Sequence, residues 1–167
     1  DWQKGHLKFD APGVAGYTGF FAQHGGPVLF KNGTILKNIR VVNPPDIPYP
    51  VDEDEKFIEF TLTSTDGKPL TSSRKALISL VSTSFNKGFA FNLNKTYEFF
   101  APPVASIGDL PVLVARVKGT VINPALTGMT FRFIDWNSKE IGKGVVKDGV
   151  LEIPADKPIF YVELTRQ

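Results

Sequence analysis

The sequence of 167 residues contains no cysteine, which excludes disulfides, thiolate metal sites and cysteine nucleophiles but does not fix the compartment. The charge is nearly balanced, with 19 basic and 17 acidic residues, and no cluster of Lys and Arg stands out. We therefore expect neither a nucleic-acid partner nor a membrane-surface role. No apolar run approaches the length of a membrane-spanning helix, and nothing at the start resembles a signal peptide. Because the chain begins with Asp1 rather than Met, we expect a mature or excised fragment.

A convincing apolar stripe at helical spacing is also missing, and the chain is instead broken by 15 Gly and 13 Pro into many short strand-like pieces. Short strands at close spacing with turn residues between them are typical of all-β proteins. The sequence predicts one domain over residues 1–167, folded as a two-sheet antiparallel β-sandwich of the immunoglobulin-like or jelly-roll kind.

The stretch from residue 57 to residue 88 organises the rest of the chain. Ile58, Phe60 and Leu62 alternate with polar residues, which is the period-two pattern of a half-buried strand. A reversal at Asp66–Gly67 leads to the apolar run 76–81, a candidate central strand, although a buried helix turn is the alternative for so short a run. The predicted core consists of Ile58, Phe60, Leu62, Ile78, Leu80, Val114, Phe131 and Val162.

Glycine-containing dipeptides predict further turns. Asn32–Gly33 lies between two short apolar runs and favours a hairpin with a type I′ turn. A second hairpin is predicted over residues 145–153 about Asp148–Gly149. Lys118–Gly119 interrupts the apolar stretch 110–122 and indicates a bend or bulge.

Several core and turn segments together form a familiar pattern: residues 5–12 (GHLKFDAP), 16–19, 64–70 (STDGKPL) leading to Ser73–Arg74, the strand 77–86, 111–114 with Lys118–Gly119, and the closing 160–164 (FYVEL). The pattern resembles the β-sandwich accessory domain that follows the catalytic barrel in large bacterial glycoside hydrolases. This resemblance implies a secreted or cell-surface protein, an attached polysaccharide-degrading enzyme and no catalysis by the domain itself. It names no binding residue. Residues 85–103 depart from it by being longer and more aromatic.

That departure suggests a sugar-binding surface, because sugar rings stack on flat aromatic side chains while amides bond to their hydroxyl groups. Phenylalanine and asparagine alternate in this stretch, with Phe89 and Phe91 as possible core residues instead. Trp136 stands in a predicted turn, where its ring either folds back onto the core or is presented to a ligand. The carbohydrate-binding candidates are Trp136, Tyr97, Phe85, Asn86, Phe89, Asn92 and Tyr49, of which Tyr49 lies between two prolines.

Metal ions and cofactors are not expected. The acidic run 52–55 admits a calcium reading, yet it lacks the ligand spacing and glycine of an EF-hand, and solvated charges before a strand are the alternative. His6 and His24 lie far apart in the sequence without a short ligand spacing, so we expect structural or solvent-exposed roles for both.

The leading hypothesis is a non-catalytic carbohydrate-binding module that binds a polysaccharide or oligosaccharide for an attached glycoside hydrolase. One alternative is a structural accessory domain that docks on the catalytic domain through an exposed apolar patch without binding sugar. The other is a small jelly-roll glycosidase, which needs two carboxylates about 5–9 Å apart across one concave sheet. Glu98 with either Glu152 or Glu59 is the plausible pair for that reaction.

Overall fold

The computed structural model describes residues 5–24, 26–42, 57–92 and 104–166. Helix is limited in these ranges to the single turn α1 (Phe21–His24) and a 3₁₀ turn (Pro124–Leu126), and neither is long and apolar enough to cross a membrane. The strands of these ranges are β1 (His6–Ala11), β2 (Val14–Phe20), β3 (Val28–Leu29), β4 (Ile35–Val42), β5 (Phe57–Ser64), β6 (Lys75–Val81), β7 (Ser84–Lys87), β8 (Ala90–Phe91), β9 (Val104–Ser106), β10 (Asp109–Val114), β11 (Arg116–Ile122), β12 (Thr130–Asp135), β13 (Glu140–Val145), β14 (Val150–Ile153) and β15 (Ile159–Thr165).

Two antiparallel sheets pack face to face around one apolar core. The larger sheet has the strand order β1-β2-β5-β6-β15-β12-β13, and the smaller has the order β14-β11-β4-β3. Two short ribbons, β7 with β10 and β8 with β9, complete the described strands. The prediction of an all-β antiparallel sandwich is confirmed.

The predicted hairpin of β5 and β6 lies in the middle of the larger sheet. Phe60 pairs with Leu80 and Leu62 with Ile78, so the apolar side chains of both strands point to the same face. On its other side β6 pairs with β15, which makes it a central strand. Residues 76–81 are therefore a strand, and the buried helix turn is wrong.

The core is closed by contacts between the sheets. The rings of Phe30 and Phe60 meet across the interface with centroids 6.0 Å apart.

The predicted bulge in β11 is confirmed, since its register with β4 shifts between Lys118 and Thr120. A side chain at Gly119 would meet Ile39 Cδ1 at 2.6 Å, so the glycine lets the strand approach its neighbours closely. Six of the eight predicted core residues are buried, whereas Val114 and Phe131 are half-buried.

The turn at Asn32–Gly33 differs from the predicted type I′ geometry. Gly33 has a positive φ of 85°, but Asn32 does not, and the amide of Gly33 donates to the carbonyl of Phe30. The loop is thus three residues long, a type I turn followed by a left-handed glycine. Asn32 has another task, because its Nδ2 donates to the carbonyls of Ala11 and Val14 and so ties this turn to the β1–β2 turn.

The predicted hairpin over residues 145–153 is only partly correct. Asp148 and Gly149 both have positive φ and form a type I′ turn closed by the amide of Val150 on the carbonyl of Lys147. Beyond the bridge between Lys147 and Val150, however, the two arms separate. β13 pairs with β12 in the larger sheet and β14 pairs with β11 in the smaller one, so this turn carries the chain from one sheet to the other.

Phenylalanine lies opposite glycine at three cross-strand positions of the larger sheet. The pairs are Phe9 with Gly16, Phe131 with Gly144, and Phe133 with Gly142. A Cβ at Gly16 would fall 2.0 Å from the ring of Phe9, and one at Gly144 would fall 2.8 Å from the ring of Phe131, so these rings lie over the bare backbone. Such aromatic cover compensates for the packing that a glycine cannot supply.

Candidate functional site

Trp136 is held at one end of the sandwich by a tightly bonded turn after β12. Oδ1 of Asp135 accepts hydrogen bonds from the amides of Asn137 and Lys139, at 2.8 and 2.9 Å. The amide of Ser138, which has a positive φ of 59°, also donates to the carbonyl of Asp135. These bonds fix the backbone on both sides of the indole, so the ring is presented from a rigid support.

The indole of Trp136 stacks on the ring of Phe160 at the start of β15. Their centroids are 4.1 Å apart and the planes are inclined by 24°. Trp136 is 46% exposed and Phe160 38%. Because one face of the indole is covered by Phe160, its exposed surface includes the opposite face. We call this pair the aromatic platform.

An open groove of about 770 Å³ runs beside the aromatic platform. One wall is built by the end of β6 and the start of β15, and the other by the ribbon of β7 and β10, which we call the arm. Apart from one arginine, the lining residues are apolar or small and hydroxylic. They are Ser79, Val81, Ser82, Ser84, Val112, Leu113, Val114, Arg116, Trp136, Pro158 and Phe160.

Register explains how the arm contributes to the groove. Ser84 pairs with Val114, so the two side chains lie on the same face of the arm, and both line the groove. Phe85 follows Ser84 in β7 and therefore points to the other face of the arm. Val112 is 50% exposed, so the groove retains an accessible apolar wall opposite the platform.

Polar groups at the groove are few. The hydroxyl of Ser82 donates to the carbonyl of Phe57 and is thereby occupied. Ser79 and Ser84 make no side-chain hydrogen bond within the described part of the chain. Nη1 of Arg116 donates to the carbonyl of Asp156 at 3.3 Å. Two hydroxyls and a guanidinium are thus available beside an aromatic surface.

Of the predicted sugar-binding residues, the structure brings Trp136 to this groove. Phe85 and Phe89 pack on each other instead, with ring centroids 5.1 Å apart, and both are half-buried. Asn86 uses its Nδ2 to bond the carbonyl of Ile107, which braces the arm, and Asn92 is half-buried. Tyr97 and Tyr49 lie outside the described residues.

Phe160 and Arg116 were missed by sequence reasoning. Phe160 shares its parity with Val162 and Leu164, both 1% exposed, so alternation gives no reason to expect an exposed ring there. Pro158 just before β15 was the available signal, because it marks where the strand starts and hence the end of the sandwich. Arg116 begins β11 between buried Ala115 and Val117 and carries no distinctive sequence signal.

The described residues do not test the pair considered for hydrolysis, which joins Glu98 to either Glu152 or Glu59. Glu59 pairs with Val81 on the outer face of the larger sheet, and Glu152 pairs with Thr120 on the smaller sheet. Oγ of Thr120 donates to the carboxylate of Glu152 at 2.9 Å. Because the two glutamates lie on different sheets, they cannot face each other across one sheet, and Glu98 lies outside the described residues. The acidic run 52–55 lies outside them as well.

His6 and His24, distant in sequence, are neighbours in space. Their ring centroids are 5.2 Å apart, and both rings contact Tyr17, which is fully buried. Burial raises the pKa of Tyr17 to about 12. Nδ1 of His24 lies 3.2 Å from the carbonyl oxygen of Gly26. Within the ranges that the structure describes, no group of three or more His, Cys, Asp or Glu side chains is arranged to hold a metal ion.

Comparison of the chain with family models, with curated proteins and with solved structures finds no match. The likeness to accessory domains of glycoside hydrolases therefore stays an expectation from the sequence. The features of the molecule that bear on function are the aromatic platform and the groove beside it.

Proposed function

We propose that this domain is a non-catalytic carbohydrate-binding module that binds a polysaccharide chain in the groove beside Trp136. The observation that carries the proposal is the platform itself. A tryptophan that is 46% exposed, backed by Phe160 and fixed by a rigid turn, stands at the edge of an open groove. Large aromatic rings are normally covered in folded proteins, and rings left at the mouth of a concave surface are typical of ligand sites.

The mechanism is stacking combined with hydrogen bonding. The free face of the Trp136 indole receives the C–H face of a sugar ring, and Phe160 holds the indole in place from behind. The hydroxyls of Ser79 and Ser84 exchange hydrogen bonds with sugar hydroxyls. The groove is open rather than enclosed, so it suits a segment of a long chain, with the modest affinity that small contact areas give.

An attached glycoside hydrolase would gain from such a module through raised local substrate concentration. A location outside the cell follows from this role, because that is where polysaccharide substrates are found.

Affinity electrophoresis tests the proposal. The domain is run through gels containing β-glucans, xylans, mannans or algal galactans, and at least one of these is expected to retard it. Trp136→Ala should weaken affinity about five- to 150-fold, because aromatic stacking in open grooves is worth about 1–3 kcal/mol. Phe160→Ala should weaken it less, since Phe160 orients the indole rather than meeting the sugar.

Phe9→Ala is the matched control. Phe9 is 45% exposed, almost the same as Trp136, but lies on β1, three strands away from β6 in the larger sheet. Melting temperatures of all variants establish that they remain folded. Retention that is unchanged in a folded Trp136→Ala protein would place the sugar elsewhere.

A structural accessory domain is the second candidate, favoured by a separate observation on the arm. Ile107, just before β10, is 74% exposed, and Leu110, within β10, is 82% exposed. Two large apolar side chains so exposed and so close in sequence are typical of a docking surface. These side chains could dock against a catalytic domain. If no glycan retards the parent protein, this candidate replaces sugar binding.

A further inference from the structure

Among the described residues, the groove contains one cation beside its aromatic surface. Arg116 is the first residue of β11, exposed between buried Ala115 and Val117, so its side chain points out of the core. Its Nη1 donates to the carbonyl of Asp156 at 3.3 Å, which anchors the guanidinium to the segment before β15. This contact lies at the end of the sandwich that carries the groove, because Pro158 and Phe160, which follow Asp156 closely in sequence, also line the groove.

The charge of Arg116 has no partner of opposite sign in the described part of the chain. The ion pairs there involve Arg132 and Lys143, and none reaches Arg116. Among the described residues that line the groove, Arg116 alone carries a charge. A guanidinium has five N–H donors, and the carbonyl of Asp156 takes one of them. The described lining of the groove is therefore positively charged and has unused donors.

The geometry points to a glycan that carries anionic substituents, a carboxylate or a sulfate, as the ligand of this groove. This inference rests on the proposed function and narrows its substrate class. Arginine binds carboxylate and sulfate oxygens with two parallel N–H donors, which fixes orientation as well as charge. A sugar unit stacked on Trp136 would then present its anionic group, or that of a neighbouring unit, to Arg116 across the groove.

A purely neutral glycan would leave the charge of Arg116 without a partner of opposite sign among the described residues and the ligand. The hydroxyls of neutral sugars accept hydrogen bonds from a guanidinium, but without the added attraction between opposite charges. An anionic chain gains charge-assisted hydrogen bonds, and its attraction to the groove weakens as salt is added. Charge complementarity therefore favours the anionic class.

Matched pairs of polysaccharides test this inference. A polyuronate is compared with its carboxyl-reduced form, and a sulfated galactan with its desulfated form, so that the two sources of negative charge are separated. The parent should bind at least one anionic form more tightly than its neutral counterpart. Arg116→Gln should lose about three- to tenfold in affinity for that anionic form and nothing for the neutral one. Arg116→Lys should recover part of the loss, because lysine keeps the charge without the bidentate fork.

Arg74→Gln is the control for general electrostatic attraction, since Arg74 is exposed at the opposite end of β6. Equal losses for the Arg74 and Arg116 variants, or equal competition by polyglutamate, would show non-specific attraction and overturn the inference. Binding of neutral glycans that depends on Trp136 but not on Arg116, with no preference for the charged forms, would also overturn it while leaving the proposed function intact. If no glycan of either class binds, both proposals fail.

Discussion

Asn123 joins three parts of the sandwich, and its substitution should be among the more damaging polar changes. The residue is 2% exposed; its Nδ2 donates to Oγ1 of Thr34 at 2.8 Å, and its Oδ1 accepts from the amide of Ala125 at 2.9 Å. A weaker contact of 3.4 Å reaches the carbonyl of Asn32. Each good bond is worth about 1 kcal/mol net, and a buried partner left unsatisfied costs about 1–3 kcal/mol. We expect Asn123→Ala to lower the free energy of unfolding by about 2–4 kcal/mol.

Urea denaturation followed by far-ultraviolet circular dichroism measures this loss. Asn123→Ser is the matched variant, because a serine oxygen still caps the 3₁₀ turn at Ala125 while the bond to Thr34 is lost; it should recover about 1 kcal/mol relative to alanine. In a double-mutant cycle, Thr34→Val and Asn123→Ala should show a coupling of about 1 kcal/mol, since they remove the two ends of one buried bond. A loss below about 0.5 kcal/mol for Asn123→Ala, or additive effects in the cycle, would refute the reasoning.

Two further predictions concern the turn at Asp66 and the glycines of β2. The backbone amide of Arg74, followed by the hydroxyl of Ser64, holds the pKa of Asp66 well below its usual range. The folded pKa is the lower one, so this stabilisation is present above the unfolded value of about 3.9 and is lost as the pH falls below it. The melting temperature of the parent should therefore drop more steeply between about pH 5 and pH 2 than that of Asp66→Asn, which should already be lower at pH 7; parallel curves would contradict this. Gly19→Ala should destabilise far more than Gly16→Ala in urea denaturation, because Gly19 has a φ of 145° and its Cβ would meet backbone at 2.5 Å, whereas at Gly16 the exposed ring of Phe9 can move aside; equal losses would show that backbone contact is not the cause.

Local patterns predicted those parts of the fold that depend on neighbours in sequence. The alternation at Ile58, Phe60 and Leu62 and the reversal after it gave the β5–β6 hairpin, because both strands and their turn are contiguous. The partner of β14 was missed, since its pairing with β11 is decided by which sheet has a free edge. The turn at Asn32 was misjudged for a similar reason. Its side chain bonds to carbonyls eighteen and twenty-one residues away, which a dipeptide rule does not contain.

The residues of the candidate site show the same difference between what local sequence predicts and what tertiary contacts decide. Trp136 was identifiable because a large ring in a short polar turn has few ways to be covered. Phe160 follows the inward parity of its strand and is exposed because it lies at the end of the sandwich, a tertiary property. Phe85 and Phe89 were singled out for their proximity to asparagine, but their rings pack against each other. Composition suggested the proposed chemistry, and the sheet geometry showed where the candidate groove lies.

The most direct test of the central claim is a titration of the isotope-labelled domain, observed by NMR, with an oligosaccharide from the polysaccharide that retards it. The indole N–H signal of Trp136, assigned with a Trp136→Phe variant, should shift together with the amides of Phe160 and Val112 along one saturation curve, because all three line the groove. The amide of Phe9, on the distant edge strand, should not move. Saturable shifts on another surface while the Trp136 indole and the groove amides stay unchanged would contradict the account.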